Sequence, residues 1–249
     1  MEEKNQRIAG DIRFDMPASE KIENFWYHYK WHTIVTAFVV VVGVILILQL
    51  CTKVEYDLNI LYAGEKNITT TSLSGDGNSE YLSILSALES VGNDENDDGN
   101  VSFNLQKLYI LSEKELESAL GGIKDPMQKA SLESKMQENY DTLYNYIMFG
   151  DYYLYFLSED IFHDYEERFE SSIFASISEY TKAGGEYSYA GDGGIYLSSL
   201  GIYEATDLSL LPPDTVVCIR LPGVLGARDD GKSYAAAEDL LKKILAFDE

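Results

Sequence analysis

From Ile34 to Thr52 the chain reads IVTAFVVVVGVILILQLCT, with no charged side chain and only Thr36, Gln49 and Thr52 as polar breaks. A helix of this length, at about 1.5 Å per residue, covers the roughly 30 Å hydrocarbon core of a bilayer. A core helix of a globular domain would carry a polar stripe, and none is present. The stretch therefore predicts an uncleaved transmembrane helix over 34–52. The tail ahead of it is longer than a secretory leader, and Leu48-Gln49-Leu50-Cys51-Thr52 has no small-residue cleavage pattern. Leu50 is also too large for a lipoprotein signal at Cys51.

Beyond the span the period changes. Val54, Tyr56, Leu58, Ile60 and Tyr62 alternate with polar residues, as in a half-buried strand. Tyr81, Ile84, Leu85, Leu88 and Val91 follow helical spacing, and Val101, Phe103 and Leu105 alternate again, with Leu108 to Leu111 continuing extended. Asp125-Pro126 opens a long helix with Leu132, Met136, Tyr140, Leu143 and Ile147 on one face, closed by Gly150. Tyr152 to Leu157 is continuously apolar, the mark of a central strand covered on both faces. A broken helical pattern follows from Ser158 to Tyr180, then an irregular Gly- and Tyr-rich loop from Lys182 to Gly194. A short strand at 195–197, a firmer one at 215–221 and a closing helix with Tyr234, Ala237, Leu241, Ile244 and Leu245 inward complete the series. The fold class is α/β: an N-terminal transmembrane helix, then one layered α/β domain. The boundaries are a tail at 1–33, the span at 34–52 and the domain at 53–249.

The formal charge is −23, and nearly all of it lies after the span. Such an acidic surface excludes nucleic acid as a partner and disfavours anionic lipid. Lys21 and Lys30 precede the span, while Lys53 and Lys66 follow it. A short tail and a large following domain orient the chain with its N-terminus cytoplasmic and 53–249 extracytoplasmic in the cell membrane. The run Phe25-Trp26-Tyr27-His28-Tyr29-Lys30-Trp31 suits the headgroup layer, where rings are buried and their polar tips stay wet. Cys218 is the single cysteine of the domain, so no intrachain disulfide forms there, and its apolar neighbours predict burial.

Two motifs touch chemistry. Gly226-Ala227-Arg228-Asp229-Asp230-Gly231-Lys232-Ser233 matches the phosphate-loop spacing. Too little chain follows it for the magnesium-binding acid, and Asp229 and Asp230 would repel a phosphate. It is read as a polar turn without nucleotide. Asp94, Asn96 and Asp98, with Gly99, Asn100 and Ser102, reproduce the first two-thirds of an EF-hand loop and form a candidate calcium site. Leu105 stands where the closing bidentate Glu belongs. Catalytic patterns are scarce: His163 is the one histidine of the domain, and H-E-x-x-H, G-x-S-x-G and C-x-x-C are all missing.

Around Tyr140–Phe162 a helix runs into Gly150-Asp151, an apolar strand and then Ser158-Glu159-Asp160-Ile161-Phe162. This resembles the first-lobe segment of the extracellular solute-binding proteins of ABC importers, and the strand 215–221 with the last helix is similar to their late strand and helix. The aromatic run before the span resembles single-span envelope proteins of Gram-positive bacteria. The resemblance implies one lobe of a periplasmic-binding-protein-like fold, because too few residues separate Leu157 from strand 215–221 for a second. It carries over no ligand-binding residue. The expected function is a non-catalytic, membrane-anchored binding domain for a membrane or envelope partner, using an open surface near Ser158 and the loop 184–194. The alternatives are a calcium-dependent envelope protein and, third, an envelope enzyme.

Overall fold

The computed structural model describes residues 18–51, 55–71, 79–169, 172–181, 185–223 and 231–247. The first 17 residues of the tail and residues 52–54 at the end of the expected span lie outside them. The chain divides into two units, at Met1–Val54 and Glu55–Glu249. In the first, helix α1 runs over Ala18–Cys51 and begins well before the apolar stretch. Nothing in the aromatic run breaks a helix, and Phe25 stacks on Tyr29 one turn later, with ring centroids 5.2 Å apart. Within α1, Tyr29–Leu48 is long and apolar enough to cross a membrane. Its apolar side chains are exposed all round the helix, including Val35, Phe38, Val41 and Ile45.

The second unit is built on a six-stranded mixed sheet of order β2-β1-β3-β6-β5-β4. Strand β1 (Leu58–Gly64) runs parallel to β2 (Phe103–Tyr109) on one side and to β3 (Leu154–Ser158) on the other. Strand β6 (Thr215–Ile219) is antiparallel to β3, pairing Phe156 with Val217. The hairpin β4 (Tyr189–Gly191) and β5 (Gly194–Tyr196) extends the antiparallel side. Helix α2 (Glu80–Glu89) joins β1 to β2; α3 (Glu113–Gly122) and α4 (Pro126–Phe149) join β2 to β3. Ile60, Tyr62, Leu154, Phe156, Val217 and Ile219 share one core with α2 and the last helix, α7 (Gly231–Leu245). Leu61, Ala63, Tyr155, Leu157, Val216 and Cys218 share the other with α4 and α5 (Glu159–Arg168). The two crossovers thus cover opposite faces.

Several expectations change for physical reasons. Strand β1 is not half-buried: flanked by two strands and covered on both faces, it is buried throughout except at Asn59. The alternating residues before Leu58 are its lead-in. Helix α3 has no fully buried residue, and its short apolar stripe of Leu116, Ala119 and Leu120 is only half-buried. A capping box holds it: Ser112 N–H donates to Glu115 Oε2 at 2.9 Å, and Glu115 N–H to Ser112 Oγ at 3.4 Å. The broken helix ends at Arg168, after which Phe174 bridges to Arg220 and Ile177–Glu179 forms a 3₁₀ turn. Of the expected loop, 182–184 lies outside the described residues, while its end is the β4–β5 hairpin. A Cβ at Gly194 would come within 2.6 Å of Phe162 and 2.5 Å of Val216, so only glycine allows that strand so close. Helix α6 (Gly201–Ala205) and the 3₁₀ turn Asp207–Leu210 add Ile202 and Leu208 to the α2 face.

Arg220 joins these parts. It is 0% exposed and the largest fully buried side chain of the described residues. Its Nη1 donates to Ile147 O and its Nη2 to Gly150 O at 2.9 Å, capping the carbonyl end of α4. The guanidinium carbon lies 4.8 Å from the Tyr153 ring centre, and Arg220 N–H donates to Tyr153 O at 2.8 Å. Arg220→Ala would leave one buried and one half-buried carbonyl without this donor and open a cavity, for a loss of about 3 kcal/mol or more. Arg220→Lys should recover only part, because one ammonium lacks the fork that reaches both carbonyls. Denaturant unfolding of the full-length protein in detergent checks this, and a wild-type midpoint for Arg220→Ala would remove the role.

Candidate functional site

The chain leaves β1 toward β2 on one side, while β3 lies on the other, so the loops diverge at the carboxyl ends of β1 and β3. In open α/β sheets such a switch point is where ligands bind. Gly64 faces Ser158 there: a Cβ at Gly64 would sit 2.9 Å from Tyr62 Oη and 3.4 Å from Ser158 Cβ. Tyr62 Oη accepts the Lys66 N–H at 3.3 Å. Behind Ser158, Tyr196 Oη donates to Glu159 Oε1 at 2.6 Å. That bond, with some burial, pushes the Tyr196 phenol up to about 12. His163 is half-exposed one turn along α5, with Nε2 3.9 Å from Glu159 and Nδ1 3.6 Å from Glu166.

The larger feature of this edge is a groove of about 760 Å³ between α3, α4 and α5. Its apolar floor includes Leu111, Met136 and Tyr140. Met136 is buried because it shares the inner face of α4 with Leu143 and Ile147. Tyr140 Oη donates to Leu111 O at 3.4 Å, and burial raises its phenol. The walls carry Glu113 from α3, Glu133 and Asp141 from α4, and Asp160 and Asp164 from α5. Two cations line it, Lys114 and Arg168, and Arg168 is paired with Asp164 at 2.9 Å. The groove is an open, acid-walled trough over an apolar floor. Sequence reasoning missed it because three helices from separate parts of the chain build it. Its legible signals were the Ser112-x-x-Glu115 cap and the helical spacing of Leu116, Ala119 and Leu120.

The sequence-derived metal candidates lie at the opposite, amino edge, between α2 and β2. Asp94 Oδ1 accepts Asp98 N–H at 3.2 Å and Oδ2 accepts Gly99 N–H at 2.7 Å. Asn96 Oδ1 accepts Asp98 N–H at 2.9 Å, and Asp98 Oδ1 accepts Asn100 N–H at 2.8 Å. Asp97 and Gly99 take left-handed backbone, with φ of 61° and 90°. Asp94, Asn96 and Asp98 are thus brought together around their own turn. Ser102 is set apart: its N–H donates to Asp57 Oδ2 at 2.7 Å. Asp57 also accepts Glu95 N–H at 2.8 Å and Asn96 N–H at 3.0 Å on Oδ1. Nothing in the local sequence of 94–102 marked this residue, which lies just before β1. Leu105 is 4% exposed in the α2-side core, so β2 supplies no twelfth-position ligand. Among the described residues no group of three His, Cys, Asp or Glu side chains is placed to hold a metal.

The remaining motifs lie elsewhere. Residues 226–230 of the phosphate-loop pattern are outside the described residues, and Gly231-Lys232-Ser233 opens α7 with Lys232 exposed. Cys218 is buried on β6 with its thiol pushed well up by desolvation, which keeps it protonated and unreactive. The hairpin at 189–196 pairs into the sheet and does not line the groove. No protein family, curated protein or solved structure matches the chain.

The staple by Asp57, which is 8% exposed, generates a prediction. Asp57→Ala removes the acceptor for three N–H groups and should lower stability by about 2–3 kcal/mol. Hydrogen exchange at the Glu95, Asn96 and Ser102 amides should accelerate in the variant. Unchanged exchange would show that the loop holds itself.

Proposed function

We propose that this chain is a membrane-anchored, extracytoplasmic binding module that holds a cationic segment of a membrane or envelope protein. In this reading the apolar part of α1 crosses the bilayer with the tail before it cytoplasmic, and the α/β domain stands on the other side. The observation that carries the reading is the groove: about 760 Å³, five carboxylates on its walls and an apolar floor. Such a lining attracts Lys and Arg electrostatically and offers aliphatic anchors a place to lose water. The parallel β2-β1-β3 core, with a late strand β6 and helix α7, supports the likeness to one lobe of a solute-binding protein. A lobe without its opposite half presents an open surface, which suits an extended partner better than a trapped solute.

The test is binding of a short peptide with alternating Lys and Leu to the full-length protein in detergent, followed by fluorescence anisotropy. Glu133 and Asp141 are exposed, so Glu133→Lys with Asp141→Lys should leave the fold intact. The pair should weaken binding about tenfold or more, and added salt should weaken the wild type. Affinity indifferent to both changes would remove the groove as the site.

A second reading is favoured by the backbone of the acidic loop. Asp94 and Asp98 each receive N–H donors and still have lone pairs free, since a carboxylate offers about four acceptor positions. We read Asp94, Asn96, Asp98 and Asn100 as a weak calcium site of the kind that extracellular millimolar calcium fills, with Ser102 held apart by its bond to Asp57. Calcium, and not magnesium, should then raise the melting temperature of the full-length protein, because a ligand held only by the native state stabilises it. Asp98→Ala should abolish the increment. A melting curve unmoved by calcium would leave the loop a solvated turn.

A further inference from the structure

A second cavity, of about 190 Å³, lies at the free edge of β2 and is lined also by the segment after β1 and by α4. Its lining inverts the character of the molecule. In a chain with 42 acidic and 19 basic residues, three lysines line this cavity, with Asn67 and Asn139, and among the described residues no carboxylate does. The three come from three elements: Lys66 from the loop after β1, Lys107 from β2 and Lys135 from α4. Like charges gathered in this way repel one another, and the arrangement is stable only where partners offset the repulsion.

Two of the ammonium groups are held in place. Lys66 Nζ is 3.2 Å from Glu80 Oε1 and also donates to Leu210 O. Glu80 is itself fixed by Thr69, whose N–H and hydroxyl both reach Oε2 at 3.2 Å. Lys107 Nζ donates to Ile68 O and lies 6.0 Å from the Tyr81 ring centre. An ammonium has three donors, so each keeps at least one N–H for a ligand. Lys135 is exposed and has no ion-pair or hydrogen-bond partner among the described residues. Asn139 Nδ2 donates to Tyr109 O at 2.7 Å, which leaves its second amide proton uncommitted. With Glu80 cancelling one charge, two positive charges remain without an ion-pair partner among the described residues around the cavity.

We propose that this cavity is a binding site for a phosphate-class dianion, with Lys66, Lys107 and Lys135 as its charge partners and Asn139 as a neutral donor. Tetrahedral oxygens accept hydrogen bonds from several directions at once, and charge-assisted bonds to an ammonium are the strong kind. A planar monoanionic carboxylate would leave one positive charge uncompensated. The site is independent of the acidic groove: none of the residues lining one lines the other.

The experiment is a calorimetric titration of the full-length protein in detergent with inorganic phosphate at constant ionic strength. Acetate and glycerol phosphate serve as the other arms. One saturable site for phosphate is expected, with acetate weaker. Glycerol phosphate binding as well as free phosphate would point to a phosphate carried on a larger molecule, and its exclusion would point to the free ion. Lys135→Gln, an exposed change that breaks no contact among the described residues, should weaken phosphate binding about tenfold. Circular dichroism confirms that the variant is folded. An absence of saturable heat, equal binding of acetate, or unaltered phosphate affinity in folded Lys135→Gln would each overturn the proposal.

Discussion

The constraint on which the α/β domain depends is the burial of one positive charge. Arg220 has no water to solvate it, and moving an ion from water to protein interior costs several kcal/mol unless the surroundings replace that solvation. The replacement comes from two places, the carbonyl end of α4 and the face of Tyr153, while the backbone N–H of Arg220 continues the pairing of β6 with the segment that enters β3. Its guanidinium therefore specifies where α4 stops, where the chain turns into β3, and how β6 lies beside β3. Since α4 forms one side of the acidic groove, a residue that does not line the groove helps set the position of its wall.

Charge is distributed with similar economy elsewhere. The two ends of the parallel strands are treated differently, although both are acidic. At the amino edge, Asp57, Asp94, Asn96 and Asp98 direct their oxygens onto backbone N–H groups, so the carboxylates shape a turn. At the carboxyl edge, Glu113, Glu133, Asp141, Asp160 and Asp164 line an open volume over apolar side chains. Acids that organise backbone are structural, and any metal they hold adds to a turn already formed. Acids that face a void repel one another, and here Lys114 and Arg168 offset that repulsion only in part. The lysine cavity on β2 is the complement of this arrangement, a small positive enclosure on a negative molecule.

The apolar stretch 34–52, the long helix closed by Gly150, the covered strand Tyr152–Leu157 and the inward face of the last helix were all legible in the chain. Each rests on a local period or on a turn residue acting on its neighbours, and local physics needs no knowledge of the fold. Helix α1 was longer than its apolar part because the aromatic residues preceding it carry no helix breaker, and hydrophobicity marks a membrane stretch rather than a helix end. Helix α3 escaped because its apolar stripe, Leu116, Ala119 and Leu120, is short and only half-buried.

The sequence by itself determined that an acidic α/β domain follows one helix apolar enough to enter a membrane, because length, hydrophobicity and charge are sums over residues. Tertiary structure alone decided that β1 is central and that Arg220 is buried. It also decided that Asp57 staples a loop some forty positions away, that three helices enclose an acidic groove and that Lys66, Lys107 and Lys135 share one cavity. Each of these depends on which segments become neighbours in space, and in a mixed sheet of order β2-β1-β3-β6-β5-β4 neighbours are set by crossovers rather than by distance along the chain.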